Sequence, residues 1–159
     1  MSIKENISSL GLSLPTAAAP VAAYVPAVKS GNLVFTAGQL PVVDGKLVKE
    51  GKVGRDVTAE EAKEFAQTCV LNALAAISLV ADLDQIERVV RVGGFVNCAP
   101  GFTAIPGVIN GASEFLVKIF GDVNGKHART AVGVAELPLN APVEVEVIVQ
   151  LKTNFSNKG

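Results

Sequence analysis

The chain has 159 residues, 14 basic against 15 acidic, and a formal net charge of −1. That length suits one domain, taken as residues 1–159, with room for a core that needs no staples. The charge balance argues against a dedicated nucleic-acid binder, because no basic patch large enough to track a phosphate backbone is visible.

Cys69 and Cys98 are the two cysteines, far apart and outside any CxxC pair. This pattern suits reduced thiols in a cytosolic protein better than a disulfide or a zinc site. The start, "MSIKENISSLGLSLP", lacks the unbroken apolar stretch of a signal peptide, and the run "VLNALAAISLVA" is too short to span a bilayer. The expectation is a soluble, cytoplasmic protein with no membrane partner. Hydrophobic residues make up 49% of the chain and charged ones 18%. An exposed sheet face that closes against other subunits would account for that excess, though a well-buried monomer would as well.

In chain order, Tyr24–Val28 and Leu33–Thr36 read as two strands joined by a tight turn at "KSGN". Asp44-Gly45 is a second hairpin signal, and residues 46–57 read as a loop or a weak edge strand. Helical periodicity then begins at a capping box, Thr58 with Glu61. Behind it Ala62, Phe65, Ala66, Cys69, Val70, Ala73, Leu74 and Ile77 form one apolar face, predicting a long helix that ends near Asp82.

Residues Ile86 to Val96 are rich in β-formers, and Gly93-Gly94 within them suggests a bulge or a close backbone approach. Pro106 suits the first turn of a second helix, lined inside by Val108, Ala112, Phe115, Leu116 and Ile119 and stopped by Gly121. Strands over Thr130–Ala135 and Val143–Leu151 finish the chain. The order β-β-α-β-α-β-β predicts an α+β layer, a mixed sheet with two helices packed on one face.

Strand parity in "VEVEVIVQL" sends Val143, Val145 and Val147 one way and Glu144 and Glu146 the other. The acidic side is either solvated or, if that face meets neighbouring subunits, in or beside an interface. Arg129 likewise has two readings, a charge snorkelling at a strand end or a ligand for an anion.

The stretches "AAYVPAVKSGNLVFTAGQLPV", "RVVRVGGFVN" and "HARTAVGVAELPLNAPVEVEVIVQL" resemble the RidA/YjgF family over nearly the whole chain. With "LGLSLP" near the start, the chain is most similar to the longer branch of that family. The resemblance implies a chorismate-mutase-like fold, a homotrimer and active-site clefts between subunits. It also implies hydrolysis of reactive enamines and imines, such as 2-aminoacrylate or other 2-imino acids, to 2-oxo acids and ammonia, with no metal or organic cofactor.

Carried over residue by residue, the resemblance makes Arg129 the grip on the substrate carboxylate, a task that suits a planar guanidinium with paired donors. It makes Glu144 the group that positions the attacking water. Tyr24 falls on a tyrosine lining the cleft, Asn110 on a polar cleft residue of the second helix, and Gly38 on a backbone contact beside the substrate. Ala131 stands where many relatives carry a cysteine, and its backbone amide could still serve. Ala37 stands where many have serine.

Bland readings stand beside these. Tyr24 could be sheet packing. Cys98 could be a buried small hydrophobe or an exposed thiol. Arg88 and Arg91 could be edge charges or trimer salt bridges. His127 is either a surface or capping residue or a proton-transfer group beside the carboxylate site.

Two function classes follow: an imine/enamine deaminase built on Arg129 and Glu144, or a non-catalytic trimer that binds a small carboxylate in the same pocket. A ribonuclease, an activity attached to some relatives, gains little from this charge balance and so few aromatics.

Overall fold

A computed structural model describes residues 1–19 and 22–153. Its first element was not expected. Helix α1, Ile3–Ser9, starts at Ser2, whose hydroxyl accepts from the Glu5 amide while the Glu5 carboxylate accepts from the Ser2 amide. Ile7 is buried, and Asn6 Nδ2 donates to the Ile119 carbonyl at 2.8 Å, so this short helix is held by the helix it packs on rather than by its own length.

Strands β1 (Ala27–Ser30) and β2 (Leu33–Thr36) pair antiparallel around Gly31 at φ 60°. The first strand therefore begins three residues later than its composition predicts, and Tyr24 and Val25 lie ahead of it, exposed. Pro26 sits just before β1, and a proline cannot donate to a ladder. Strands β3 (Val42–Val43) and β4 (Lys46–Leu47) form the second expected hairpin. Asp44 at φ 51° and Gly45 at φ 78° give the two left-handed residues of a hairpin turn.

Helix α2 runs from Ala59 to Ile77 behind the Thr58–Glu61 capping box, where Glu61 Oε2 accepts from the Thr58 amide at 2.9 Å and the Glu61 amide donates to Thr58 Oγ1 at 3.1 Å. Its predicted stripe is buried, with Phe65 partly so. The helix stops short of Asp82, which instead caps a single 3-10 turn, Leu83–Gln85.

Strand β5, Ile86–Asn97, carries its register shifts between Ile86 and Arg91, not at the glycine pair. The glycines serve close approach instead. A Cβ on Gly94 would lie 2.6 Å from the Ile109 side chain, and one on Gly93 would lie 2.7 Å from Glu146 Oε1. Helix α3, Ile105–Gly125, carries Pro106 in its first turn and breaks at Gly121 (φ 82°), then adds a last turn beyond that glycine. It packs so closely on α2 that a Cβ on Gly111 would meet the Lys63 carbonyl oxygen at 2.0 Å.

Strand β6, Ala128–Val134, lies parallel to β5, and β7, Val143–Leu151, runs antiparallel to both β2 and β5. The sheet order is β1-β2-β7-β5-β6, with β7 near the centre and β6 at an edge. The β5–α3–β6 crossover and α2 put the two long helices over one face. Val143, Val145, Val147 and Val149 are buried beneath them. The other face of the sheet carries Phe35, Ile148, Phe95, Val132, Glu144 and Glu146, and no helix or strand among the described residues covers it. The result is the expected α+β mixed sheet, with a third helix added. Among the described residues no helix is long and apolar enough to cross a membrane.

Candidate carboxylate site

Arg129 is in register with Val92 of β5, which is fully buried under the helices. In a parallel pair, registered side chains share a face, so Arg129 points toward α3 rather than into solvent. There its Nη1 donates to Asn110 Oδ1 at 2.8 Å and to Ser113 Oγ at 3.3 Å. Asn110 and Ser113 are three residues apart on α3, the spacing that stacks two side chains on one helix face. Both hydrogens of Nη1 are thus committed. The Nε–Nη2 edge of the guanidinium has no protein partner among the described residues.

These groups line a cavity of about 620 Å³ together with Val117, Lys118 and His127. Two of the neighbouring charges are already paired: Lys126 with Asp122 at 2.8 Å, and Glu114 with Lys63 at 2.9 Å. Arg129 has no carboxylate partner among the described residues, and unlike the exposed Lys118, which also has none, its unpaired charge is half-buried. A half-buried guanidinium with a free two-donor edge is a ready receptor for a planar anion.

His127 lies in the same cavity. Its Nε2 is 2.9 Å from Ser113 Oγ and its Nδ1 2.6 Å from the Gly125 carbonyl. Burial, helped by the Arg129 charge, holds the imidazole below its ordinary value, against the pull of the Gly125 carbonyl. Ser113 was not singled out from the sequence, and the signal was present in its three-residue spacing from Asn110.

Glu144 and Gly38 form a second group. Glu144 is in register with Phe95, on the face away from the helices. Its carboxylate fills the space over Gly38, where an added Cβ would lie 2.0 Å from Oε1. Burial first, and then the nearby Glu146 carboxylate, push the Glu144 carboxyl above the ordinary glutamate value.

Within one chain these two groups do not meet. Val92 and Phe95, the β5 partners of Arg129 and Glu144, are three residues apart, and β5 separates β6 from β7. Strand rise and spacing put the two Cα atoms roughly 14 Å apart, with the side chains on opposite faces. Ala131 shares the helix face with Arg129 and packs against the core. Tyr24 is exposed, ahead of β1. Among the described residues no group of three or more His, Cys, Asp or Glu could hold a metal ion.

Residues 4–151 match the model of the YjgF/chorismate-mutase-like endoribonuclease family. The chain belongs to that family. Protein TCP17 of Trypanosoma cruzi is 41% identical over 150 residues, covering 94% of each chain. The 2-iminobutanoate/2-iminopropanoate deaminase of Dermatophagoides farinae is 33% identical over 141 residues, covering 89% of this chain and 95% of its own. A crystal structure of an Agrobacterium tumefaciens protein of unknown function has 42% sequence identity and a TM-score of 0.85, over 95% of this chain and 92% of that one. YjgF family members thus share both the sequence and the fold of this chain, under names that include a deaminase and an endoribonuclease.

Proposed function

We propose that this YjgF family chain hydrolyses 2-imino acids and their enamine tautomers to 2-oxo acids and ammonia, at clefts closed by a second subunit of a cytoplasmic homotrimer. The observation that carries the reading is the half-buried Arg129 on the cavity wall, with Nη1 tied to α3 and its Nε–Nη2 edge without a partner among the described residues. A 2-imino acid offers a planar carboxylate to that edge, which fixes the adjacent C=N carbon in place. Glu144 then takes a proton from water as the oxygen bonds to that carbon, giving a carbinolamine. Glu144 returns that proton to nitrogen, then passes the hydroxyl proton of the carbinolamine to nitrogen as the C–N bond breaks, so nitrogen leaves as ammonia and the carbon keeps the oxygen as a ketone. The raised carboxyl value of Glu144 suits a general base better than an ordinary glutamate would.

Because Arg129 and Glu144 face opposite sides of one sheet, the reading requires Glu144 of a neighbouring copy to meet Arg129. The uncovered face supports this, since Phe35 is 40% and Val132 39% exposed there beside half-buried Phe95 and Ile148. An apolar face of this kind favours burial against a like surface. The deaminase name of the Dermatophagoides farinae relative supports the substrate class. The chain's net charge of −1 favours a small acid over a nucleic acid.

The test is ammonia release from imino acids generated in situ by an amino-acid oxidase or a threonine dehydratase. Wild type accelerates release, whereas Arg129→Ala and Glu144→Gln each abolish it while assembling normally. Co-refolding these two variants restores activity, at about a quarter of the sites for random mixing in a ring. No rescue would place the site within one chain and overturn the cross-subunit arrangement. Tight carboxylate binding with no acceleration for any imino acid would replace the enzyme with a binding trimer.

A further inference from the structure

The carboxylate anchor is itself held by a hydrogen-bonded relay whose direction can be worked out atom by atom. The Gly125 carbonyl can only accept, so His127 Nδ1, 2.6 Å away, carries the proton. In the neutral ring Nε2 is then an acceptor, and the Ser113 hydroxyl, 2.9 Å away, donates to it. That leaves the Ser113 oxygen lone pairs toward Arg129, which donates to them from Nη1 at 3.3 Å. Burial favours the neutral ring, in agreement with these polarities.

The carbonyl that starts the relay is placed by a glycine. A Cβ on Gly125 would lie 2.6 Å from Val117 Cα and 2.8 Å from the Leu116 carbonyl oxygen, both backbone atoms of α3. A side chain at that position would lift the turn away from the helix and carry the carbonyl with it. The segment "GDVNGKHAR" therefore folds back on α3 through Gly121 and Gly125 and delivers His127 beside Ser113.

We infer that Ser113 and His127 are positioning residues for Arg129, holding its guanidinium plane so that the Nε–Nη2 edge is preset for a carboxylate. The inference rests on the reading of Arg129 as a carboxylate anchor. Neither residue is assigned a step in the reaction. Their contribution is to reduce the guanidinium rotation that binding would otherwise have to freeze.

The test compares full-length wild type, Ser113→Ala, Ser113→Thr and His127→Phe by calorimetric titration with pyruvate and by NMR of the Arg129 guanidinium. Loss of the hydroxyl or of the imidazole acceptor raises the pyruvate Kd roughly tenfold, the factor carried by about one lost hydrogen bond. Ser113→Thr keeps the hydroxyl and recovers affinity to within about threefold by the same measure. In imine hydrolysis the loss falls on KM, with kcat nearly unchanged.

The NMR arm separates this inference from the deaminase reading. Slow rotation about the Cζ–Nη bonds in wild type, freed in Ser113→Ala, supports positioning even if no imino acid is hydrolysed. Equal rotation and equal pyruvate affinity in wild type and Ser113→Ala would overturn it, whatever the activity.

Discussion

Gly38→Ala separates the chemistry of Glu144 from the stability of the fold. A Cβ at residue 38 would lie 2.0 Å from Glu144 Oε1, 2.9 Å from Cδ and 3.2 Å from Cγ. Ordinary contact begins near 3.4 Å, so the carboxylate oxygen has to retreat by about 1.4 Å. It can do so, because the obstacle is the end of a flexible side chain and not backbone. A shifted rotamer costs roughly 0.5–1.5 kcal/mol. Gly38 is not among the glycines with positive φ, so alanine fits its backbone and returns about 0.4–1 kcal/mol by restricting the unfolded chain. The two nearly cancel, and the melting temperature should move by no more than about 2–4 °C.

Catalysis has no such compensation. Displacing a general base by more than 1 Å costs on the order of a hundredfold, toward the lower end of what losing the base outright costs. Steady-state ammonia release should therefore show kcat down about 100-fold. KM should hold within about threefold, because the Arg129 guanidinium keeps its Asn110 and Ser113 contacts. The double variant Gly38→Ala/Glu144→Gln should be no slower than Glu144→Gln alone, since both act on one group. A Gly38→Ala enzyme with wild-type kcat, or a double variant slowed by the product of the two single effects, would refute the role given to Glu144.

Other expectations follow from the packing and the titrating groups. Gly111→Ala would force a Cβ to within 2.0 Å of the Lys63 carbonyl oxygen, which belongs to backbone and cannot rotate aside. Denaturant melts should show a loss of about 3 kcal/mol, the upper part of the overpacking range. Thr58→Ala removes the side-chain cap of α2 and should lower stability by about 1 kcal/mol, read as a 2–4 °C fall in melting temperature. His127 has its folded value lowered, so the folded chain binds fewer protons than the unfolded one. Stability from this group is present above its ordinary value of 6.5 and is lost as pH falls through the lowered value, and His127→Asn should flatten that slope in pH-resolved melts. Glu144 has the opposite sign: its folded value is raised above 4.5, so stability falls as pH rises through the window above 4.5. Glu144→Gln should therefore be more stable than wild type at neutral pH and equal to it near pH 4.

Legibility in the sequence followed the strength of local periodicity. The Thr58–Glu61 box and the stripe from Ala62 to Ile77 specify α2 because a buried face repeats every three or four residues for five turns. Alternation in Val143–Leu151 gives β7 and the faces of both glutamates for the same kind of reason. Helix α1 was missed because seven residues carry too little periodicity, although its Ser2–Glu5 box is the same signal that marks α2. The helix α3 was expected to stop at Gly121, and it does break there, but packing against the rest of α3 lets one more turn re-form up to Gly125. Tyr24 has a strand former's propensity and no strand, because Pro26 delays the ladder.

By itself the chain order of apolar and polar residues determined the α+β class and the helix-facing valines of β7, while Arg129, Glu144, Asn110 and Gly38 were named by the resemblance to the RidA/YjgF family. Only the tertiary structure decided how those site residues group. A strand's parity tells which residues share its own face, but the relation between two strands depends on register and order in the sheet, and both are set by long-range pairing. With β5 between β6 and β7, Arg129 turns toward α3 to meet Asn110, Ser113 and His127, while Glu144 turns away to lie over Gly38. That separation makes a second subunit a requirement of the proposed site, because one sheet cannot bring both of its faces to the same substrate.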